Sequence, residues 1–449
     1  MNPLKKSWAL ALGLVAATTG AWAQEALPFE QAAKIALDQN IDLKQQQNNL
    51  LSAEADVQER FGAYTPSISA GLFGDYLLGV QFNQLTGNVV SNPAQVRGGV
   101  QANYTLFNGF GRQSLHQQAK YQLEQQKELT KRSEEIVLFN LASQYLQVLL
   151  DQELLTIAER NLGEQVDNLK VIEAQVEAGI RPISDKYDRD AQIKNLEIGV
   201  LQAQNQLAND EALLIQTLQL EPGTAVSLQR PVWSIEELVN RPVDLATLFD
   251  EAMRNRADFL AQQAGIASAV QGTRFAHSGY FPDLSVYAYA GSRYNTSVTD
   301  TADVIIPLGS QLDAFFTSSA GFSLNIPLYS QFRNQSAVQR ARVIEDNQRL
   351  TLENLERTIF TEVQQATLNF ETFQQSVTAA EAQLKAAEQA FEIQKERFEL
   401  GNTDLLTYNQ SNTLLVRSEA ELISAKYRLM FQEILLEYFV GTLDVDSFR

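Results

Sequence analysis

"VEAGIRPISDKYD", Val176 to Asp188, interrupts what otherwise reads as one long helix, and does so with a glycine, a proline and an Ile-Ser-Asp run. "FELGNTDLLTYN", Phe398 to Asn409, makes the same interruption in the same polar, glutamine-rich setting. Gly179 and Gly401 stand 222 positions apart. A break that recurs at a fixed distance marks an internal repeat, and the repeat decides the fold.

Other landmarks recur at nearly the same displacement. "YTPSIS" (Tyr64 to Ser69) returns as "YFPDLS" (Tyr280 to Ser285) after 216 positions, and "NYTLFNGFGR" (Asn103 to Arg112) returns as "NIPLYSQFRN" (Asn325 to Asn334) after 222. The offset grows by six between these landmarks and then holds, so one loop within residues 70–100 or 286–322 differs by six residues.

Each copy has the same order of elements. Residues 28–62 read as helix, and Pro66 forbids helix just before it and opens an extended segment. Val100, Ala102, Tyr104 and Leu106 then alternate with Gln101, Asn103 and Thr105. The second copy sets Phe322, Leu324 and Ile326 against Ser323 and Asn325. Period-two alternation predicts half-exposed strands, and strands of about 10 residues suit a bilayer-spanning barrel. Val100, Tyr104, Phe322 and Leu324 are the expected lipid-facing residues.

Residues 112–178 and 334–400 are runs of 67 without proline, each reaching ~100 Å if continuous. Both carry an apolar seam spaced 3,4,3,4: Leu155, Ala158, Leu162, Gln165, Leu169, Ile172, Val176 in the first, Val377, Ala380, Leu384, Ala387, Phe391, Gln394, Phe398 in the second. That spacing predicts helix-on-helix packing of the coiled-coil kind. Residues 28–62 and 184–218 are shorter helices that could lie end to end along one long one. Pro222, Pro231 and Pro242 mark residues 219–244 as a connector, expected to pack with the C-terminal "GTLDVDSFR" as an irregular belt.

The expected organisation is therefore a signal peptide at 1–23 and two structural repeats. Lys5 and Lys6, the short apolar run Trp8 to Ala17 and Ala21-Trp22-Ala23 make the signal-peptide pattern. The first repeat, 24–243, holds a helix, a hairpin at 67–107, the long helix 112–178, a helix at 184–218 and the connector. The second, 244–449, holds a helix, a hairpin at 283–328, the long helix 334–400, a helix at 403–440 and the tail.

Composition narrows the function. The net charge of −19 repels nucleic acid. With no cysteine and two histidines, His116 and His277, no catalytic triad, metal-ligand spacing or phosphate loop stands out, so neither an enzyme nor a cofactor or metal is expected. No later apolar run is long enough for a transmembrane helix, so any membrane crossing must use strands. Four strands cannot close a barrel, and open edges in lipid leave backbone groups unpaired at several kcal/mol each. Such a chain oligomerises, or its strands lie outside a membrane. A soluble periplasmic or surface coiled-coil protein, such as an adhesin, is the alternative; it explains the seams and the export but not the duplicated strands.

The signal peptide, the duplicated helix-strand-strand-helix-helix order, "YTPSIS", "LFNGFGR" and the "AGIRPISD" turn together resemble the TolC-like outer-membrane efflux proteins over essentially the whole mature chain. Phe110 between Gly109 and Gly111 is a small departure from that pattern. The resemblance implies a mainly α homotrimer: a long coiled-coil helical barrel crossing the periplasm, and one shared 12-stranded β-barrel in outer-membrane lipid. It implies a passive exit duct for efflux or secretion, served by an inner-membrane transporter and a periplasmic adaptor protein.

The resemblance also places the two helix-helix turns at the periplasmic tip. Gly179, Ile180, Ser184, Asp185, Gly401 and Asn402 become the expected adaptor-docking residues. Gly179 suits a left-handed helix end, and Ser184 or Asp185 suits a cap for the next helix. The carboxylates that ring the closed pore in the best-known members would fall at Thr407 and Gln410, a locking basic residue at Thr403, and a locking tyrosine at Phe398. None of these positions has the required group, so Asp404 is the acid left as a pore-constriction candidate beside Thr407, Gln410 and Phe398, with closure expected to lean on packing around Phe398 and Leu405.

Overall fold

A computed structural model describes residues 26–445 apart from 83–86, 88, 92, 222, 225, 231–233, 301 and 303. The signal-peptide segment 1–23 and the last tail residues, 446–449, lie outside the described residues. In chain order the elements are α1 (Phe29–Gln39), α2 (Ile41–Gly62), β1 (Ser67–Tyr76), β2 (Val80–Phe82), β3 (Val89–Ser91), β4 (Ala94–Asn108), α3 (Gly111–Glu177) and α4 (Ile183–Thr217). There follow α5 (Ile235–Asn240), α6 (Leu245–Asn255), α7 (Ala257–Ser278), β5 (Asp283–Asn295), α8 (Leu308–Ala314), β6 (Thr317–Asn325), α9 (Arg333–Glu399) and α10 (Leu405–Val440).

The two long helices, α3 and α9, are 67 residues each. Helix α3 packs along α2, α4, α7 and α10, while α9 packs along α7 and α10. Ile172 and Val377 are fully buried, with Ala387, Phe391 and Phe398 close behind, and the other seam residues are buried or half-buried. The seam works as packing, because each layer of side chains needs a neighbouring helix to cover it.

The expectation of one helix over 28–62 is corrected. Asn40 has φ −58° and ψ 127°, which turns its carbonyl out of the helical ladder, and its Oδ1 accepts from Leu43 N at 2.9 Å. A new helix therefore starts one residue after the old one ends. The second copy breaks at Arg256 (φ −62°, ψ 118°), 216 positions on, by other chemistry. The buried Arg256 guanidinium pairs with Asp258 at 2.6 Å and Glu362 at 2.5 Å.

Each copy turns from strand into long helix through two consecutive left-handed residues: Gly109 and Phe110 in the first, Gln331 and Phe332 in the second. A side chain in that conformation costs on the order of 1–2 kcal/mol. Each phenylalanine sits edge-on to an aromatic three residues earlier, Phe107 at 5.4 Å and Tyr329 at 6.1 Å between centroids. Gly109 is required for space as well, since a Cβ there would come 2.6 Å from Phe281 Cβ. Phe110, a departure in sequence, thus has its structural twin in Phe332.

The largest apolar core lies where both ends of the chain meet α3. Phe29, Leu141, Tyr145, Leu149, Leu214 and Leu218 share it with Leu228 of the connector and Leu443 of the tail. Leu27 N donates to Ser227 O at 2.7 Å, and the Tyr145 hydroxyl lies 2.8 Å from Leu27 O and 2.5 Å from Gln229 O. The connector is not wholly irregular: Ser234 caps the short helix α5, which rests on α9 and α10.

Candidate functional site

Two regions at opposite ends of the long helices hold the residues singled out from the sequence. At one end is a four-stranded antiparallel sheet in the order β1-β4-β5-β6. Residues directly opposite each other in an antiparallel pair share a face, so the register sorts every side chain. Val100 pairs with Ala70 and Ala290, Ala102 with Ile68 and Ala288, and Tyr104 with Val286, which pairs in turn with Phe322; Leu284 pairs with Leu324. Val100, Tyr104, Phe322 and Leu324 therefore share one face. It holds no acid or base, and Leu72 and Phe322 on it are 77% and 74% exposed.

Gln101, Asn103, Ser323 and Asn325 share the other face with Ser69, Tyr287 and Tyr289. A break in the register between Thr105 and Phe107 corrects the expected alternation at its end. The bulge sets Phe107 opposite Leu284, so Phe107 rather than Leu106 continues the apolar row. The connections beyond the strands carry structure of their own. β2 and β3 form a small hairpin in the first, and α8 is tied down in the second by Gln311, which is fully buried and accepts from Asn295 N at 2.9 Å. Each outermost strand, β1 and β6, has one edge without a partner strand among the described residues.

At the other end lie the two helix-helix turns, built alike. Gly179 and Gly401 have φ 74° and 72°. Gly179 N donates to Val176 O and Ile180 N to Gln175 O; Gly401 N donates to Phe398 O and Asn402 N to Arg397 O. This is the left-handed glycine termination that satisfies the last helical carbonyls. Ile180 is 73% exposed, and Ser184 and Asn402 are exposed.

The following helices start differently. Neither Ser184 nor Asp185 caps α4, contrary to expectation: Pro182 occupies the N-cap with φ −71° and ψ 150°, which puts both residues inside the first turn. Asp185 instead takes Arg181 at 3.3 Å. Asp404, 222 positions after Pro182, is the N-cap of α10, and its Oδ1 accepts from Thr407 N at 2.7 Å. Hydrogen bonding by the Thr407 backbone, then its hydroxyl, holds the Asp404 carboxyl below its usual range. Thr407 is half-buried and Gln410 exposed.

Phe398 and Leu405 are buried together with Ile172, Phe391 and Tyr408. Tyr408 stacks on Phe398 at 4.7 Å and receives a hydrogen bond from Asn168 of α3 at 3.0 Å. Over this cluster lie two arginines from the first hairpin. The Arg181 guanidinium covers the Phe398 ring, and Arg189, fully buried, covers Tyr408 at 5.5 Å while donating to Gln165 and Gln192. Thr403 and Phe398 lack the expected locking groups, and the cation beside Phe398 comes from the opposite turn, as Arg181. Arg181, Arg189 and Tyr408 went unnoticed in the sequence; the available signal was two arginines eight residues apart beside a turn in an acidic chain. A groove of about 580 Å³ runs beside the cluster, lined by Glu164, Asp167, Glu392, Glu399 and Glu419 against Arg160 and Lys395.

Comparison with known proteins agrees with this geometry. The family profile described as outer membrane efflux protein matches residues 32–218 and 248–442, one segment in each copy. The outer membrane efflux protein BepC of Brucella suis is 21% identical over 339 residues, 74% of this chain and 70% of that protein. The outer membrane protein TolC of Vibrio cholerae is 21% identical over 310 residues, 68% of each. The crystal structure of the outer membrane protein VceC from Vibrio cholerae superposes with a TM-score of 0.78 at 14% identity, covering 92% of this chain and 96% of that one.

Proposed function

The chain belongs to the outer membrane efflux protein family, is an outer-membrane duct of efflux or secretion, and, we propose, does this work as a homotrimer. Three copies of a four-stranded sheet would close a 12-stranded barrel, β6 of each copy pairing with β1 of the next. Closure removes every open edge, which lipid demands. The observation that carries this reading is the sheet itself: one face without acid or base, most of its large side chains exposed, and both outer edges unpartnered among the described residues.

On this reading the apolar face meets outer-membrane lipid and the polar face lines the lumen. The helices prolong the lumen through the periplasm to the two turns. There Gly179, Ile180, Ser184, Asp185, Gly401 and Asn402 meet a periplasmic adaptor, which links the duct to an energy-supplying inner-membrane transporter. The acid-rich groove beside Phe398 and Tyr408 favours a partner whose helices present lysine or arginine. The duct itself is passive and needs no cofactor. A soluble coiled-coil protein would gain nothing from an uncharged, exposed sheet face.

Crosslinking of the detergent-solubilised protein tests the assembly. A ladder ending at three is expected, and a monomer that stays inserted in lipid would sink the reading.

A further inference from the structure

Arg97 of β4 and Arg293 of β5 stand directly opposite each other on the polar face of the sheet. Like charges in register weaken a strand pair, so this juxtaposition does not serve the sheet. The neighbouring β4–β5 pairs on this face, Gly99 with Gly291 and Gln95 with Asn295, are uncharged. Among the described residues one carboxylate answers the two cations: Asp75 Oδ1 lies 3.5 Å from Arg97, and its other oxygen accepts from Gln95 Nε2 at 2.8 Å. Arg293 makes no ion pair among the described residues. Its guanidinium lies 5.0 Å from the centroid of the Phe315 ring and is exposed. Tyr289 folds across Gly99 and Gly291, the row between it and the arginines, so that a Cβ at Gly291 would fall on its hydroxyl. A phenol donor is thus carried toward the pair, at the end of the strands away from the helices.

We propose that Arg97 and Arg293, with the Tyr289 hydroxyl beside them, form an anion-attracting collar at the distal mouth of the duct, suited to solutes that bear carboxylate, phosphate or sulfonate groups. The proposal rests on the trimeric-barrel reading, in which each copy adds two arginines against one aspartate to the same ring. Low-dielectric walls focus such a field, and the guanidinium fork matches the planar oxygens of these anions. In a chain of net charge −19 the collar reverses the sign of the field at the exit, so an anion that has passed the acidic periplasmic end is drawn forward.

The absence of native cysteine allows a direct test. Thr317, exposed and paired with Gly291, lies one row from the arginines. In cells carrying the full-length Thr317→Cys protein, modification rates are compared for a sulfonate-bearing and a trimethylammonium-bearing methanethiosulfonate. The anionic reagent is expected to be favoured, and Arg97→Gln with Arg293→Gln to cut the anion-to-cation rate ratio by about tenfold. Arg97→Lys with Arg293→Lys must keep most of it. A ratio unmoved by the glutamine pair overturns the collar and leaves the barrel standing. A Thr317→Cys that reacts only with a membrane-permeant maleimide overturns the barrel reading, and the collar with it.

Discussion

The guanidinium carbon of Arg181 lies 4.0 Å from the centroid of the Phe398 ring, and its Nη2 donates to the Phe398 carbonyl at 3.3 Å. The contact joins the first helical hairpin to the second across the tip. A desolvated cation over an aromatic face is worth ~1–2 kcal/mol. Arg181→Ala is therefore expected to loosen the tip and raise single-channel conductance in planar bilayers, with Arg181→Lys intermediate because it keeps the charge and loses the fork. Conductance unchanged in both variants would mean that the contact does not restrain the pore.

Asp404 caps α10, and the pore-ring role expected of it can be tested separately from that cap. Asparagine caps nearly as well as aspartate, whereas alanine does not. Asp404→Asn should weaken cation selectivity while α10 keeps its amide protection, and Asp404→Ala should also speed hydrogen exchange in the first turn after Leu405. Thr407→Asp should strengthen cation selectivity, since the proposed trimer brings three carboxylates together. If neither charge change alters the reversal potential, this turn does not form the constriction.

The two faces of the sheet should tolerate arginine unequally. Val100→Arg is expected to cost ~2–4 kcal/mol in lipid, and Gln101→Arg much less. The yield of folded, membrane-inserted protein measures the difference; equal yields would mean the faces are wrongly assigned.

Asp151 is buried in α3, accepts from Gln147 Nε2 at 3.0 Å, and is pushed up to about 7 by burial and by the neighbouring Asp210 carboxyl of α4. An acid whose pKa is raised on folding binds its proton more tightly in the native state. Its contribution to stability is full below the ordinary carboxyl value of 3.8 and is lost as pH rises through about 7. The melting temperature should fall across that window, and Asp151→Asn should flatten the fall. An identical pH profile for the two proteins would count against a shared proton.

How much the sequence disclosed depended on the range of each interaction. The duplication, both long helices and the glycine turns were legible, because periodicity and left-handed termination are local. The break at Asn40 was not, since asparagine on a helix surface looks the same whether or not its side chain turns back to cap. The bulge after Thr105 was hidden because alternation cannot show which residue of two the partner strand will skip. Arg181 was unreadable for another reason: its partner Phe398 is 217 residues away, and only the packed bundle brings them together.

The uncharged face of the sheet has a consequence for how such a chain reaches its membrane. No helix among the described residues is long and apolar enough to cross a bilayer. Strands β1, β4, β5 and β6 are 9 to 15 residues long, so none offers the ~20-residue apolar run that would arrest the chain during export. On the barrel reading, affinity for lipid arises when four separate stretches of chain align. The inner membrane thus meets a secretory polypeptide and the outer membrane meets an integral protein, with strand pairing as the event that changes one into the other.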